Sequence, residues 1–594
     1  MTIFSGENLK RIIRNPTFWI FLVIFAGGIF VRTYHFNDWL YFKMDQSRDA
    51  FLVKGSLESG LLGLPLLGPR VGAIHLAHGL LRVGPIFYYF QYLAGMVFHS
   101  TEAYVFAYPD LFFSLLTIPL LFFFVRLYFS PRHSLMILAM YTFSFLIIQY
   151  SRFAWNPNSL QFFALLTFFG LIKFLNATED SWQRLWLAVW ALGLAIGSQL
   201  HFFGFFSLIG ISGLMILAHY EMWQKASWQR LRAKATWRKL FLSAAIVAVV
   251  FGIFYTPVVI SDVMKHGQNS RNFIEALSAK PSSQAFSDKL TTNISESLHY
   301  YCLLTTARCY TSDVAKEWPI TSLLTGLLLL VGVGLSFHGV RLAKTALERD
   351  FAMLLLIWFA VFFLLSIPFA YQLRPRFYIV VFPLPFLFIG LVCRYLEEHF
   401  GKKALLVSLV ITGTILFYNI RGTAVWFKEQ TLSQTKSTPV TRTLILKAKD
   451  GVTLGQLKGV ADFIYAHHTP GKRLYFYVKP EHENPMRYML SMKHDPTLTF
   501  MPMSINTDPE AEYFAIVPSS SGMSPAVKKF GDIFTVVSSE QHGQLTVYEL
   551  TIPGRLVSPD FRLDKKNGKS DRLFWEDVFG SAVTVPTQST NFGD

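Results

Sequence analysis

The chain has 594 residues, 52% of them apolar and only 15% charged, which excludes an ordinary soluble protein of this size. Its 58 phenylalanines suit helices that face lipid. The net charge of +16 does not mark a nucleic-acid binder, because the basic residues cluster in short loops between apolar runs, as in Lys225, Arg230, Arg232, Lys234, Arg238 and Lys239. That is the pattern of cytoplasmic loops lying on anionic membranes.

In chain order, the first apolar run follows Lys10, Arg11 and Arg14 and lacks a small-residue cleavage site, so it reads as a retained span over 17–34. Further spans are predicted at 104–127, 134–150, 158–175, 184–200, 202–218, 240–258, 319–337, 351–369, 377–394 and 404–420. The run from Pro85 to His99 is short for a span. Read as a segment lying on the outer surface, it leaves Arg126, Arg132, His133, Arg341, Lys344, Arg349, Arg394, Lys402 and Lys403 on the inner side. The expected fold class is therefore a polytopic α-helical membrane body of about eleven spans plus an interfacial helix, covering 1–420. The N-terminus is cytoplasmic in this reading, in the cell membrane, and 35–103, 151–157, 259–318 and everything after about 420 lie outside. Cys302 and Cys309 fall in the third of these stretches, where a disulfide is permitted, while Cys393 reads as packing inside a span.

Residues 421–570 read as an extracytoplasmic α/β domain. TLGQLKGVADFIYAH at 453–467 has helical periodicity, RLYFYV, EYFAIV, DIFTVVS and LTVYEL read as strands, and HGQ separates the last two as a turn. Residues 571–594, rich in Ser, Thr, Pro and Gly, read as a flexible tail.

Polar residues at the outer side carry the chemistry. FKMDQSRDA sets Asp45, Arg48 and Asp49 just after the first span, where a carboxylate can take a proton from an acceptor hydroxyl or hold a divalent metal ion against a phosphate. In GPRVGAIHLAHGLLRVGPIFYY, Gly68, Gly72, Gly79 and Gly84 permit tight turns. Arg70, His75, His78 and Arg82 can meet an anionic headgroup there, and the histidine pair is a weak metal signal. Asp110 lies near the outer end of the second span, at a depth costly for an acid, where it can pair with an arginine or help hold a cation. Arg152, Trp155, Asn156 and Asn158 form the second outer loop, and His201 sits between two spans. Arg374 and Arg376 in YQLRPRFY run against the inside bias of basic residues, so a lipid phosphate is their natural partner. A plain structural role stays open for the loop carboxylates, the histidines and Asp110.

Four stretches, MDQSRDA at 44–50, HGLLRVGPIFYY at 78–89, SRFAWNPN at 151–158 and RPRFY at 374–378, together with the layout of nearly all of 1–420, resemble the GT-C superfamily of membrane glycosyltransferases. Within it the chain is similar to bacterial members of the protein O-mannosyltransferase and lipid A aminoarabinose transferase family. The resemblance implies a polyprenyl-phosphate sugar as donor and transfer with inversion to an acceptor hydroxyl on a protein, lipid or glycan. It makes Asp45 the general base, gives Arg374, Arg376, Arg82 and Arg48 to the donor phosphate, and leaves Asp49, His78, Asp110, Asn156 and His201 as supporting groups. If a divalent metal takes part, Asp45 and His78 are its expected ligands. The chain departs from the family pattern where Gln46 follows Asp45, where Asn156 and Asn158 replace an acid, and where Asp110 stands at an arginine position. A transporter or flippase of lipid-linked sugars and a surface-polysaccharide polymerase or ligase are the rival readings.

Overall fold

The computed structural model describes residues 13–71, 81–224, 234–278, 283–309, 320–441, 451–495, 498–502, 511–531, 534–551 and 572–580. The first helix, α1 (Pro16–Thr33), starts on Asn15, whose side chain accepts from the Thr17 amide at 2.9 Å, with Pro16 at the first helical position. After it come α2 (Met44–Ser59), α3 (Ile86–Phe98), α4 (Tyr108–Val125), α5 (Pro131–Thr142), α6 (Phe145–Tyr150), α7 (Leu160–Leu175), α8 (Asp180–Leu200) and α9 (Phe202–His219). The helical body continues through α10 (Lys234–Met264), α11 (Gln268–Ser278), α12 (Phe286–Thr306), α13 (Ile320–Leu342), α14 (Ala346–Ser366), α15 (Leu384–Phe400) and α16 (Lys402–Ser433).

Among the described residues seven helices are long and apolar enough to cross a membrane, or eight if the bent pair Pro375–Val381 and α15 forms one span. Their outer faces carry Phe241, Val249, Ile253 and Leu330 in the open, as surfaces solvated by lipid do. The protein is thus a multi-pass membrane protein. The three remaining expected spans are helical but irregular. The 134–150 stretch breaks between α5 and α6, α7 has only 16 residues, and α8 opens on the polar run DSWQR. The break is stabilised from elsewhere in the bundle: Asn419 of α16 accepts from the freed Phe145 amide at 2.8 Å and donates to the Thr305 carbonyl at 2.6 Å. Helix α3 has 13 residues, about 20 Å of helix, too short for a hydrocarbon core of about 30 Å.

The second unit begins with α17 (Leu454–Ala466) and continues β1 (Arg473–Tyr477), α18 (Pro480–Ser491), β2 (Thr499–Pro502), β3 (Glu512–Pro518), α19 (Ser524–Phe530), β4 (Thr535–His542) and β5 (Leu545–Thr551). The strands form one sheet in the order β2-β1-β3-β5-β4, parallel across β2, β1 and β3 and antiparallel across β3, β5 and β4. The expected turn between β4 and β5 has Gly543 at φ 60°, which a side chain would strain. Strand β2 and helices α18 and α19 were not legible in the sequence. This unit sits on α2: the Leu454 and Gly455 amides donate to the carbonyls of Leu40 and Asp38, both at 2.9 Å, and the Tyr488 ring lies 4.8 Å from that of Phe51. Residues 572–580, expected as loose tail, are instead docked on the membrane body and include α20 (Trp575–Phe579).

Residues 68–71 and 81–84 cross as a short antiparallel pair, with Val71 and Leu81 joined at 2.8 Å and Gly68 and Val83 at 2.9 Å. A Cβ on Gly68 would stand 2.1 Å from the Gly84 carbonyl oxygen, so the crossing needs glycine for close approach. Gly68→Ala is expected to cost about 1–3 kcal/mol through this overpacking. Thermal unfolding of the purified protein in detergent checks it, with Gly213→Ala, which has nothing within 4 Å, expected to unfold like the parent.

Candidate active site

Asp45 lies in the first turn of α2, where the helix dipole favours an anion. Its side chain is half exposed, and Arg48, one turn on, donates to its Oδ1 from Nη1 at 3.2 Å. The other two contacts of that guanidinium go to Asp49: Nε and Nη2 reach Asp49 Oδ1 at 3.0 and 2.9 Å. Tyr88 of α3 donates its hydroxyl to the same oxygen at 2.9 Å. The two acids therefore differ. Burial pushes the Asp49 carboxyl up, opposed by Arg48, and its bonded oxygen already takes three donors, whereas Asp45 faces open space. Burial works against the Arg48 charge too, but Asp49, Tyr88 and Asp45 outweigh it and hold its pKa above the usual value. Arg48, expected at the donor phosphate, is here engaged with two carboxylates.

Gln46 explains one departure in the motif. It is buried, accepts from the Lys43 amide at 3.2 Å and donates to the Ala154 carbonyl at 3.1 Å. A carboxylate could not make the second bond, so an amide at this position ties the first loop to the second. The second loop is anchored from below by Asp110. One of its oxygens accepts from the Trp155 amide at 2.9 Å, the other from the Ser159 hydroxyl. These partners replace the arginine or cation expected for it. Asn156 donates to the Leu200 carbonyl at 2.6 Å, and Asn158 to that of Phe153 at 2.8 Å, so both asparagines shape backbone. Arg152 donates to the carbonyls of Val31, Arg32 and Tyr34 at 3.2, 2.8 and 2.6 Å, capping the C-terminal end of α1.

Held this way, the Trp155 ring supports Arg376, whose guanidinium lies 5.5 Å from its centroid and 5.3 Å from that of Phe377. Arg374 and Arg376 flank Pro375 in the turn between the 3-10 segments Ile367–Gln372 and Pro375–Val381, the first side chain exposed and the second half-buried. Proline sets the extended backbone before it and keeps the two arginines on a bend. Arg376 is close enough to feel the charges of Arg374 and Asp45. Beside it, His201 has its ring 5.6 Å from Phe377 and accepts from the Phe203 amide at Nδ1, 3.2 Å away. Burial, and then Arg376, push its pKa down to about 3, so the ring is neutral with its proton on Nε2.

Three aromatic hydroxyls and a second acid, none of them picked out from the sequence, complete the surroundings. Tyr150 lies within range of both arginines, and Tyr300 of α12 donates to the Leu373 carbonyl at 3.0 Å, one residue before Arg374. Tyr378 meets Ser297 at 3.0 Å. Glu296, one helical turn before Tyr300, is half-buried, and burial pushes its pKa up. For Glu296 and Tyr300 the sequence signal is that α12 falls in a long loop. The structure joins Cys302 to Cys309 at the end of α12. Arg82 is buried on the short crossing, its amide donating to Asn269 Oδ1 at 3.1 Å, while His75 and His78 lie outside the described residues.

The described residues do not form a metal site, and His78, the other expected ligand, lies outside them. Among the described residues no three His, Cys, Asp or Glu side chains converge, and the described partner of Asp45 is a cation. No step below runs through a metal.

A family model for dolichyl-phosphate-mannose-protein mannosyltransferase matches residues 17–260. The crystal structure of ArnT from Cupriavidus metallidurans bound to undecaprenyl phosphate shares the fold, with a TM-score of 0.52 at 14% identity over 92% of this chain and 100% of that one. Over residues 17–260 the chain is thus similar to that mannosyltransferase family, and its fold is similar to that of the C. metallidurans protein. The Archaeoglobus fulgidus oligosaccharyltransferase in complex with zinc and sulfate is also similar, with a TM-score of 0.47 at 12% identity over 90% of this chain and 74% of that one. No curated protein matches by sequence.

Asp110 and Asp45 call for opposite behaviour on substitution. Asp110→Asn sets an amide against a backbone N–H and is expected to lower stability by about 1–3 kcal/mol, read as an earlier thermal midpoint. Asp45→Asn, at a half-exposed site, is expected to leave the midpoint unchanged.

Proposed function

We propose that this protein transfers a sugar from a polyprenyl-phosphate donor to an acceptor hydroxyl, with inversion, on the extracytoplasmic side of the membrane. The observation that carries this reading is an accessible carboxylate, Asp45, within charge range of an arginine on a proline bend, Arg376, which lies over the Trp155 ring beside Arg374. Asp45 takes the proton of the acceptor hydroxyl as its oxygen attacks the anomeric carbon. The bond from that carbon to the phosphate oxygen breaks, and the electron pair leaves with the polyprenyl phosphate. Arg374 and Arg376 meet the charge that develops there, and the proton then passes from Asp45 to water. A single displacement of this kind inverts the anomeric centre. No acid is needed for the leaving group, which fits a neutral His201 acting as a hydrogen-bond donor to a sugar oxygen. The undecaprenyl phosphate bound to the C. metallidurans protein supports an isoprenoid donor.

The charges support this orientation. From a cytoplasmic N-terminus and with the eleven expected spans, Arg126, Arg132 and Lys344 each follow an even number of crossings and share the inner side when α3 does not cross. The α/β unit, packed on α2, then lies outside with the site.

Purified protein in detergent, given a small panel of polyprenyl-phosphate sugars and candidate acceptors, is expected to release polyprenyl phosphate. Asp45→Asn should lower kcat by a factor on the order of 10²–10⁴. Arg376→Ala should lower it by about 10²–10³-fold. Normal turnover in Asp45→Asn would remove that residue from the reaction. Binding of donor with no release under any acceptor, together with movement of donor across liposomes, would favour the transporter.

A further inference from the structure

Residues 572–580 reach the active-site helix from the far end of the chain. Leu573 and Trp575 pair with the loop after α2: the Leu66 amide donates to the Leu573 carbonyl at 2.9 Å and the Trp575 amide to that of Leu64 at 3.1 Å, with Pro65 opposite Phe574. Trp575 donates from its indole nitrogen to the Tyr89 hydroxyl at 2.9 Å, and that hydroxyl donates to the Pro65 carbonyl at 3.1 Å. Next to this anchor, Arg572 lies over the Tyr88 ring, 5.5 Å from its centroid, with Nη1 3.4 Å from the hydroxyl oxygen. Tyr88 passes the contact on to Asp49, Asp49 to Arg48, and Arg48 to Asp45.

We propose that segment 572–580 is a working part of the active site and that Arg572 is a positioning residue for Asp45, acting through Tyr88, Asp49 and Arg48. This rests on the reading of Asp45 as the base. The physical argument concerns how Arg48 divides itself between two carboxylates. Asp49 is 3% exposed, and a carboxylate so buried keeps its charge only while enough donors and cations surround it. Arg572 contributes in two ways: it fixes the Tyr88 hydroxyl with its hydrogen toward Asp49, and its own charge reaches Asp49. With Arg572 lost, Tyr88 can turn away and Asp49 holds Arg48 less firmly. The guanidinium then shifts toward Asp45, neutralising the group that must accept a proton and loosening the first turn of α2. Hydrogen-bonded chains of this kind act as units, so removing any one member should remove most of the effect.

The full-length protein with Arg572→Gln, Arg572→Lys, Tyr88→Phe and the double change Arg572→Gln with Tyr88→Phe tests this by two readouts. Amide exchange over residues 44–50 is expected to speed up about tenfold in Arg572→Gln and in Tyr88→Phe, as for one lost charge-assisted hydrogen bond, with exchange in the spans unchanged. Release of polyprenyl phosphate should fall by a similar factor in kcat with donor KM unmoved. The double variant should be no worse than the poorer single one, and Arg572→Lys should recover the exchange protection. Unchanged exchange over 44–50, or losses that multiply in the double variant, would overturn the proposal. If the parent protein turns over no donor, the transfer reading fails by itself, and the exchange data still decide whether Arg572 holds the turn.

Discussion

Helix α2 packs Ala50, Phe51, Leu52, Val53 and Leu57 onto the core, and its polar first turns are pinned by the buried carboxylate of Asp49, which gathers Arg48 from its own turn and Tyr88 from α3 onto a single oxygen. A buried charge that lost those donors would cost several kcal/mol, so the arrangement is held rather than merely permitted. With Arg48 turned inward to Asp49, Asp45 at the first turn is left facing outward. The accessible position of Asp45 is thus a consequence of its neighbour's burial.

The rest of the site is assembled by polar groups that must find partners inside the protein because lipid offers none. Asp110 accepts from the second loop and fixes the backbone at Trp155. Arg152 caps α1 through three carbonyls, Gln46 bridges the first two loops, and Tyr300 steadies the backbone just before Arg374. Each of these bonds joins segments far apart in the chain. Together they carry the Asp45 helix, the tryptophan and the arginine bend into one neighbourhood.

The α/β unit belongs to the same assembly. Its first helix places the two leading amides on the carbonyls of residues 38 and 40, and Tyr488 packs on Phe42 and Phe51. Segment 572–580 then returns to the loop behind α2. The helix that carries Asp45 is accordingly gripped from the bundle, from the sheet unit and from the last described segment, which suits the role proposed for that carboxylate.

Much was legible without the fold. Apolar runs of about twenty residues announce spans whatever packs against them, alternation announces strands β1, β3 and β5, and arginines set against the inside bias mark the bend at 374–376. Local signals also name FKMDQSRDA as a place for chemistry. They do not say which acid is free and which is buried, because Asp45 and Asp49 are one helical turn apart and alike in kind. That choice belongs to Tyr88 and Arg572, residues 39 and 523 positions beyond Asp49, as it belongs to Trp155 and Ser159 to make Asp110 an anchor. Sequence alone determined that this is a membrane protein of many helices with a soluble unit and basic residues near an acidic loop, since those traits depend on short stretches of chain. Only the tertiary structure decided the role of each polar residue, since burial and hydrogen-bond partners are set by contacts between distant segments.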